Sequence, residues 1–318
     1  MSFNHKILVT GGNGFVGRVL CAEAIIRGLA LQVTTRTSCD LPGIGASMGV
    51  GSIDSDTDWH EALSDSKIVI HLAAQTNIAH SSSDDALFEF LKVNVGGTLN
   101  LARQAAQAGV RRFVYISSIK VNGESTALGQ PFTVDDEPSP EDAYGLSKAE
   151  AENGLRQLSR ELGMEVTIIR PPLVYGPAAK GNFSSLLSWV GSGLPLPLGG
   201  VTENRRSLVA LDNLVDFILT CIEHPKAANQ TFLVSDDEDL STAELLRRVA
   251  KSVNRPTRLF RLPGKFLFFA ASLLRRGALA QRLLGSLQVD ASKNYLLLGW
   301  RPPVSVDEGL RRAVEWRM

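Results

Sequence analysis

The stretch that decides the fold is Lys6-Ile7-Leu8-Val9-Thr10-Gly11-Gly12-Asn13-Gly14-Phe15-Val16-Gly17. It joins a short β-type run to a glycine-rich turn, and a helix-forming segment follows that ends near Gly28. Glycine lets the backbone turn tightly, and the start of a helix presents free N–H groups and the positive end of its dipole. A glycine turn alone is common. With a strand before it and a helix after it, the pattern indicates a site for a dinucleotide pyrophosphate.

Runs typical of β-strands recur through the first half of the chain, at 6–10, 31–35, 67–72, 112–117 and 165–170. Helix-length segments separate them. The run Phe113-Val114-Tyr115-Ile116 is continuously apolar rather than alternating, as parallel strands covered on both faces are. This alternation predicts an α/β protein with a Rossmann-type, doubly wound parallel sheet.

After Arg170 the chain breaks into short segments rich in proline and glycine. A strand-and-helix pair returns at 207–224, and 231–234 fits a last strand of the sheet. The length of 318 residues suits two lobes. We therefore predict a dinucleotide-binding Rossmann domain of residues 1–175 and 206–235. A smaller, discontinuous C-terminal substrate domain takes residues 176–205 and 236–318.

Charge and cysteine content exclude several classes of protein. Lys plus Arg and Asp plus Glu both total 33, so no basic excess exists to follow a nucleic-acid backbone. The three cysteines are scattered, which predicts neither a disulfide framework nor a metal site. The N-terminus runs into the first strand without the apolar stretch of a signal peptide. These features predict a cytoplasmic protein without a metal.

One apolar segment, 266–274, bears on membranes. It is far shorter than the roughly 20 residues that span a bilayer, so we predict no membrane span. A helix that packs within the second lobe is the favoured interpretation, and a segment that lies on a membrane surface is the alternative.

The identity of the cofactor depends on the end of the second strand, Val33-Thr34-Thr35-Arg36. Many dinucleotide folds place an acidic residue there, about 20 residues after the glycine turn, where it binds the adenosine ribose. Arg36 instead suits a 2′-phosphate and modestly favours NADP, whereas an arginine stacked on adenine would suit NAD. Both cofactors stay open. Ser52 and Ile53 are expected near the adenine.

Two further features indicate chemistry at a carbonyl or carbinol. Tyr144 and Lys148 are four residues apart in a helical stretch, which puts phenol and ammonium on one helix face. A nearby cation lowers the pKa of a phenol and lets it exchange protons with substrate. Ser118 ends a buried strand, at the sheet edge where α/β folds bind ligands. Each feature alone is common, but in this order after a glycine turn they are specific.

The chain resembles the extended short-chain dehydrogenase/reductase family, the NAD-dependent epimerase/dehydratase group, over nearly its full length. Besides the motifs above, the resemblance rests on His71-Leu72-Ala73-Ala74, Asn94-Val95-Gly96-Gly97-Thr98, Arg170-Pro171-Pro172-Leu173-Val174-Tyr175-Gly176-Pro177 and Val289-Asp290-Ala291-Ser292-Lys293. It implies a homodimer, through helices at 85–108 and 144–162.

The resemblance also implies roles for individual residues. Tyr144 is the acid/base, Lys148 orients the ribose and tunes Tyr144, Ser118 hydrogen-bonds the reacting oxygen, Asn94 supports the helix and a proton relay, and His71 is structural. The implied cofactor contacts are Gly11, Asn13, Gly14, Phe15, Val16, Gly17, Arg36, Ser52, Ile53, Leu72, Ala73, Ala74, Tyr144, Lys148 and Pro171. The implied nucleotide-sugar contacts are Ser118, Lys120, Asn182, Phe183, Arg205 and Arg282, and the alternative for Arg205 and its neighbour Arg206 is a solvated side chain.

The subclass depends on the residues after Ser118. Sugar dehydratases of the family carry Thr-Asp-Glu there, whereas this chain continues Ile119-Lys120, which argues against dehydration. Segment 117–124 resembles that of bacterial enzymes acting at C4 of UDP-sugars. We predict a 4-ketoreductase of a UDP-4-keto-6-deoxy-N-acetylhexosamine in surface polysaccharide synthesis. The alternative is a 4-epimerase of UDP-glucose or UDP-N-acetylglucosamine. A reductase of a steroid-like or lipid-linked substrate and a non-catalytic NAD(P)-binding sensor also stay open.

Overall fold

The computed structural model describes residues 5–76, 83–179, 181–262 and 277–315, with side chains described except at 83, 84, 182 and 277–280. Its strands are β1 (Lys6–Thr10), β2 (Leu31–Thr35), β3 (Asp40–Leu41), β4 (Gly45–Ala46), β5 (Met48–Gly49), β6 (Ser66–His71), β7 (Arg112–Ile116), β8 (Glu165–Arg170), β9 (Leu173–Tyr175), β10 (Leu208–Ala210) and β11 (Thr231–Leu233). Its α-helices are α1 (Phe15–Ile26), α2 (Ser83–Phe90), α3 (Thr98–Gln107), α4 (Ala143–Leu162), α5 (Asn182–Gly191), α6 (Leu211–Glu223), α7 (Thr242–Ser252), α8 (Gly277–Leu284), α9 (Ser292–Leu298) and α10 (Val306–Glu315).

The main sheet has seven strands in the order β11-β8-β7-β6-β1-β2-β5. Every neighbouring pair in it is parallel. The strand order reverses beside β1, which is the topological switch point where such sheets bind ligands. The predicted Rossmann-type fold is confirmed, and the first five predicted strands agree with the observed bounds to within one residue.

Side chains of the central strand β1 alternate between two layers, as the pleat of a strand requires. Ile7 and Val9 pack into an apolar cluster with side chains of α1 and α6. Leu8 packs on the other face, into a cluster with side chains of α3 and α4. Helices therefore cover both faces of the sheet, which explains why its inner strands are continuously apolar.

A separate apolar cluster forms the second lobe. It joins side chains of α5, α7 and α10 with those of β9 and β10, which pair with each other outside the main sheet. The cluster draws on chain segments far apart in sequence. That supports a discontinuous second domain, and the predicted domain boundaries stay a prediction. Phe15, at the start of α1, packs against both this cluster and the core of the sheet.

The apolar segment 266–274 lies outside the described residues, so its predicted helix is not part of this description. Among the residues that the structure describes, no helix combines the length and the apolar character that crossing a membrane requires.

Candidate active site

The glycine turn after β1 requires glycine for steric reasons. Gly11 has φ +71°, and a Cβ there would lie 2.9 Å from the backbone nitrogen of Ala73. A Cβ at Gly17 would lie 2.2 Å from the carbonyl oxygen of Gly11, so glycine also lets α1 approach the turn. Gly14, at the N-cap, brings no side chain over the start of α1. The turn and the helix N-terminus thus form an open backbone surface of the kind that binds phosphate.

A cavity of about 680 Å³ lies at this turn. It is bordered by the carboxyl ends of β1, β2 and β6, as expected for a dinucleotide at the switch point. Of the predicted cofactor contacts, it is lined by Gly11, Asn13, Gly14, Arg36, Ser52, Ile53, Leu72, Ala73 and Ala74. The residues present therefore fit the group that the fold implies.

Other predicted cofactor contacts lie outside this lining. Phe15 and Val16 pack partly into the apolar core, and Gly17 is buried under the turn. These three residues can therefore contact a cofactor through their backbone N–H groups. Pro171 is buried, and its carbonyl oxygen already accepts a hydrogen bond from the backbone nitrogen of Ile119 at 3.0 Å. Tyr144 and Lys148 line the neighbouring reactive region.

The cavity also has lining residues that the sequence did not single out: Val50, Gln75, Glu89, Lys92 and Val93. Lys92 Nζ lies 3.9 Å from Asp54 and adds a second cation to the one at Arg36. The segment Asn94-Val95-Gly96-Gly97-Thr98, already part of the resemblance, directly follows Lys92 and Val93. It is therefore the sequence signal that could have indicated them.

The reactive region begins with Lys148, whose side chain is only 2% exposed. Its Nζ donates to the carbonyl oxygen of Ile116, at the end of β7, at 2.9 Å. The same Nζ lies 4.6 Å from the ring centroid of Tyr115 and 5.9 Å from that of Tyr144. The predicted pairing of phenol and ammonium is thus present, and Ser118 follows Ile116 by two residues.

Burial shapes the charges in this region. It lowers the pKa of Lys148 to about 7, while the charge of Glu152, one turn further along α4, raises it. Burial, and then the charge of Asp142, raise the pKa of Tyr144, which is opposite to the lowering that a nearby cation was expected to cause. A protonated phenol next to a lysine can act as an acid toward a carbonyl oxygen.

His71 is structural, as predicted. Its ring nitrogens share hydrogen bonds with the hydroxyl groups of Thr10, at 2.7 Å, and Thr98, at 3.0 Å. Burial, and then the charge of Lys148, lower its pKa to about 3, so the imidazole is neutral. It ties β1, β6 and α3 together beneath the site.

Asn94 connects the cofactor cavity to the helix of the acid/base. It lies in a π-helical segment, Leu91–Gly97, that interrupts the helix predicted at 85–108. Its side chain exchanges two hydrogen bonds with the backbone of Gln75, at 2.8 and 3.0 Å, and donates to Ser147 Oγ at 2.9 Å. Ser147 lies between Tyr144 and Lys148 on α4. Asn94 therefore supports α4, and its part in a proton relay stays a prediction.

Glu152 is the centre of a buried ionic network that the sequence did not reveal. It accepts hydrogen bonds from Ser117 at 2.6 Å and from two nitrogens of Arg170 at 2.9 and 2.6 Å. Arg156 donates to it at 2.8 Å. The spacing of four residues after Lys148, which repeats the Tyr144 to Lys148 spacing, is the signal that could have found it.

On the substrate side, the structure places Arg206 rather than Arg205 beside Arg282. Arg206 Nη1 donates to the carbonyl oxygen of Gly285, just after α8, at 3.1 Å. Burial, and then the charge of Arg282 on α8, lower its pKa. Arg205 instead turns its guanidinium onto its own turn and donates to the carbonyl oxygens of Thr202 and Asn204, both at 2.9 Å.

The predicted contacts Lys120, Asn182 and Phe183 have different outcomes. Lys120 Nζ is bound by the carboxylates of Glu124 and Asp142. Phe183 is 1% exposed and packs 5.5 Å from the ring of Tyr175, within the core of the second lobe. The ring is therefore out of reach of a ligand, and the predicted contact at Phe183, which only its backbone could make, stays a prediction. The side chain of Asn182 lies outside the described residues.

The parallel sheet, the glycine turn after its first strand and the pairing of Tyr144 with Lys148 are those of an enzyme of the short-chain dehydrogenase/reductase class. The chain belongs to the NAD dependent epimerase/dehydratase family, whose model matches residues 7–235. The prediction of an enzyme that uses a nicotinamide dinucleotide is thereby confirmed.

Three comparisons with known proteins describe the relationship further. The "UDP-glucose 4-epimerase" of Vibrio cholerae is 44% identical over 310 residues, which cover 98% of this chain and 94% of that protein. A short-chain dehydrogenase/reductase superfamily protein from Agrobacterium tumefaciens with bound NAD is 26% identical, with a TM-score of 0.75 and coverage of 98% and 97%. The Thermotoga maritima UDP-glucose 4-epimerase with UDP-glucose shares the fold, with 24% identity, a TM-score of 0.76 and 98% coverage of both chains.

Proposed function

We propose that this enzyme is a UDP-sugar 4-epimerase, with UDP-glucose as its first candidate substrate. The observation that carries the proposal is the 44% identity to the Vibrio cholerae epimerase along 98% of the chain. The sequence alone favoured a 4-ketoreductase and kept the epimerase as the alternative. The named relative supports the alternative.

The reactive groups suit both the oxidation and the reduction of one carbon, C4 of the sugar. Bound NAD supplies a reversible hydride acceptor. As the phenolate, Tyr144 takes the proton of the C4 hydroxyl during oxidation, and the phenol so formed returns a proton to the C4 oxygen during reduction. Ser118 hydrogen-bonds that oxygen in both steps. The ammonium of Lys148, held against Tyr144 by the carbonyl oxygen of Ile116, stabilises the phenolate when it forms.

The two arginines of the cleft support a diphosphate substrate. Arg206 is half-buried, and the charge of Arg282 acts on it. The carboxylate of Glu124 lies 4.0 Å from Arg282 Nη2 and also acts on Arg206. Two neighbouring guanidinium groups can in addition bind a phosphate, whose oxygens match the planar fork of arginine. A UDP-sugar places a diphosphate between its nucleoside and its sugar. Arg206 and Arg282 are therefore its proposed anchors, and Arg206 replaces the predicted Arg205.

The test is incubation of the purified protein with UDP-glucose without added cofactor. We expect UDP-galactose to form, followed by NMR or by chromatography, and we expect Tyr144→Phe to lose this activity while it still binds UDP. UDP-N-acetylglucosamine is tested in parallel. Phenylalanine fills the same volume, so the variant removes the proton donor and little else.

Two results would count against the epimerase. Consumption of NADPH in proportion to a UDP-4-keto-sugar, without conversion of UDP-glucose or UDP-N-acetylglucosamine, would restore the ketoreductase. Full activity of Tyr144→Phe would remove the acid/base assignment. The lipid-linked alternative rested on 266–274, which the described residues do not include. The absence of a thermal shift with UDP would favour that alternative.

A further inference from the structure

An ion pair joins the turn that carries Ser118 to the helix that carries Tyr144. Lys120 Nζ donates to Oδ2 of Asp142, and Asp142 is the N-cap of α4. The other carboxylate oxygen, Oδ1, accepts from the backbone nitrogen of Gly145 at 2.7 Å. Although burial raises it, hydrogen bonds from Lys120 and Gly145 hold the pKa of Asp142 below its usual value. One carboxylate thus binds both the first turn of α4 and Lys120.

Lys120 is also fixed at its backbone. Ser118 begins the short 3-10 helix Ile119–Val121, and its Oγ accepts a hydrogen bond from the backbone nitrogen of Lys120 at 3.2 Å. The same residue therefore contacts the hydroxyl of Ser118 with its main chain and α4 with its ammonium.

The two segments also touch directly. A Cβ at Gly145 would lie 2.7 Å from the carbonyl oxygen of Lys120, so glycine is needed for α4 to come this close. Gly145 directly follows Tyr144. No side chain lies between the two backbones at this point. The ion pair between Lys120 and Asp142 is a second contact between the same two segments.

From these contacts we infer that Lys120 and Asp142 are positioning residues, whose ion pair sets the separation of Ser118 and Tyr144. The inference rests on the proposed roles of those two residues in catalysis. Both must reach one substrate oxygen, and a displacement of about 1 Å can lower a rate roughly a hundredfold. Lys120 is already held by two carboxylates, Asp142 and Glu124, which is why we assign it to positioning rather than to the sugar.

The test compares Lys120→Met, Asp142→Asn and the double variant. Asparagine caps a helix as well as aspartate does, so Asp142→Asn keeps α4 and removes only the ion pair. We expect each single variant to lower kcat by roughly tenfold or more, with KM for UDP-glucose and Kd for UDP unchanged. The double variant should be no slower than either single one, because both remove the same contact.

Arg248→Met is the matched control. Arg248 also binds carboxylates, those of Glu238, Glu244 and Asp307, and its side chain is 24% exposed against 26% for Lys120. It lies on α7, among none of the residues of the proposed site. Its loss should leave kcat unchanged.

Three outcomes would overturn the inference. One is an unchanged kcat in both single variants. Another is a raised KM in Lys120→Met alone, with effects that add in the double variant, which would mean that Lys120 binds the sugar. The third is an unchanged distance between Ser118 and Tyr144 in the variants. It matters most if the wild type converts no UDP-sugar, a result that would refute the proposed function but not the positioning role. Crystal structures then decide, because the inference predicts a wider Ser118 to Tyr144 separation in both single variants, and an unchanged separation contradicts it.

Discussion

At the scale of single residues, the reactivity of the site depends on the buried ammonium group of Lys148. Lys148 is buried, and the charge of Glu152 on the same helix partly offsets the effect of burial on its pKa. Glu152 is in turn neutralised by Arg170, which is also buried. A buried pair of this kind contributes little net stability, but it fixes where the charges are.

Glu152→Gln should shift the pH dependence of kcat. Lys148 is cationic below its pKa of about 7, and the carboxylate of Glu152 raises that value. Without the carboxylate the ammonium loses its proton at lower pH, so the alkaline limb of the profile should move to lower pH. The free energy of unfolding should also fall, by about 3 kcal/mol, because Arg170 loses its counter-ion.

The profile is measured beside that of Glu150→Gln, an exposed glutamate on the same helix. The control should match the wild type in both pH profile and stability. An alkaline limb that stays in place in Glu152→Gln would show that Glu152 does not tune Lys148.

At the scale of elements, the glycine turn and α1 form one unit with the strand before them. Gly11 has a left-handed backbone and lies against Ala73 at the end of β6, so it serves both the turn and the wall of the cavity. Gly28, just after α1, has a similar φ of +76°, but a Cβ there would meet nothing within 4 Å. A Cβ at Gly28 would therefore introduce only backbone strain, whereas a Cβ at Gly11 would also collide with the backbone of Ala73.

A comparison of Gly11→Ala with Gly28→Ala distinguishes the effect of backbone strain from that of the steric clash with Ala73. Gly28→Ala should lower stability by about 1 kcal/mol, since a residue with a Cβ is strained in the left-handed region, and Gly11→Ala should lower it further because its Cβ also meets the backbone of Ala73. Only Gly11→Ala should lose NAD, with an affinity at least tenfold weaker, because its Cβ displaces the turn from Ala73. NAD content after purification and the Kd for NAD are measured together with Tm. Equal retention of NAD in both variants would contradict the proposed cofactor site.

At the scale of the whole molecule, the proposed substrate cleft exists only because distant segments meet. Lys120 comes from the turn after β7, Arg206 precedes β10, and Arg282 lies on α8. Arg282 Nη2 is 4.0 Å from Glu124, which in turn binds Lys120. These contacts connect the turn after β7 to α8, where the substrate site is proposed. The homodimer through segments 85–108 and 144–162 stays a prediction.

Arg206→Met and Arg205→Met distinguish the two candidate anchors. Hydrogen bonds to a charged group contribute about 2 kcal/mol, so loss of the Arg206 guanidinium should weaken UDP binding by at least about tenfold. Arg205→Met should change it far less, because that guanidinium binds its own turn. Titration calorimetry with UDP gives both values. The reverse order of effects would make Arg205 the anchor.

The sequence by itself determined the order of strands and helices, the glycine turn and the spacing of Tyr144 and Lys148. These features depend on neighbours within one or two helical turns, and apolar periodicity and glycine positions report such neighbours directly. The class of enzyme followed, because a strand, a turn and a helix in that order already bring the cofactor site together.

Only the tertiary structure decided which partners the charged side chains of the proposed substrate site have. Arg206 makes strand-like bridges to Leu240 and Leu287, and neighbours in an extended segment point to opposite sides, so Arg205 points away. Phe183 lies in the core of the second lobe because it is on the face of α5 that packs against Tyr175. The pairs Lys120 with Asp142 and Glu152 with Arg170 bridge separate elements. Their partners are set by packing across the fold, which local sequence patterns do not encode.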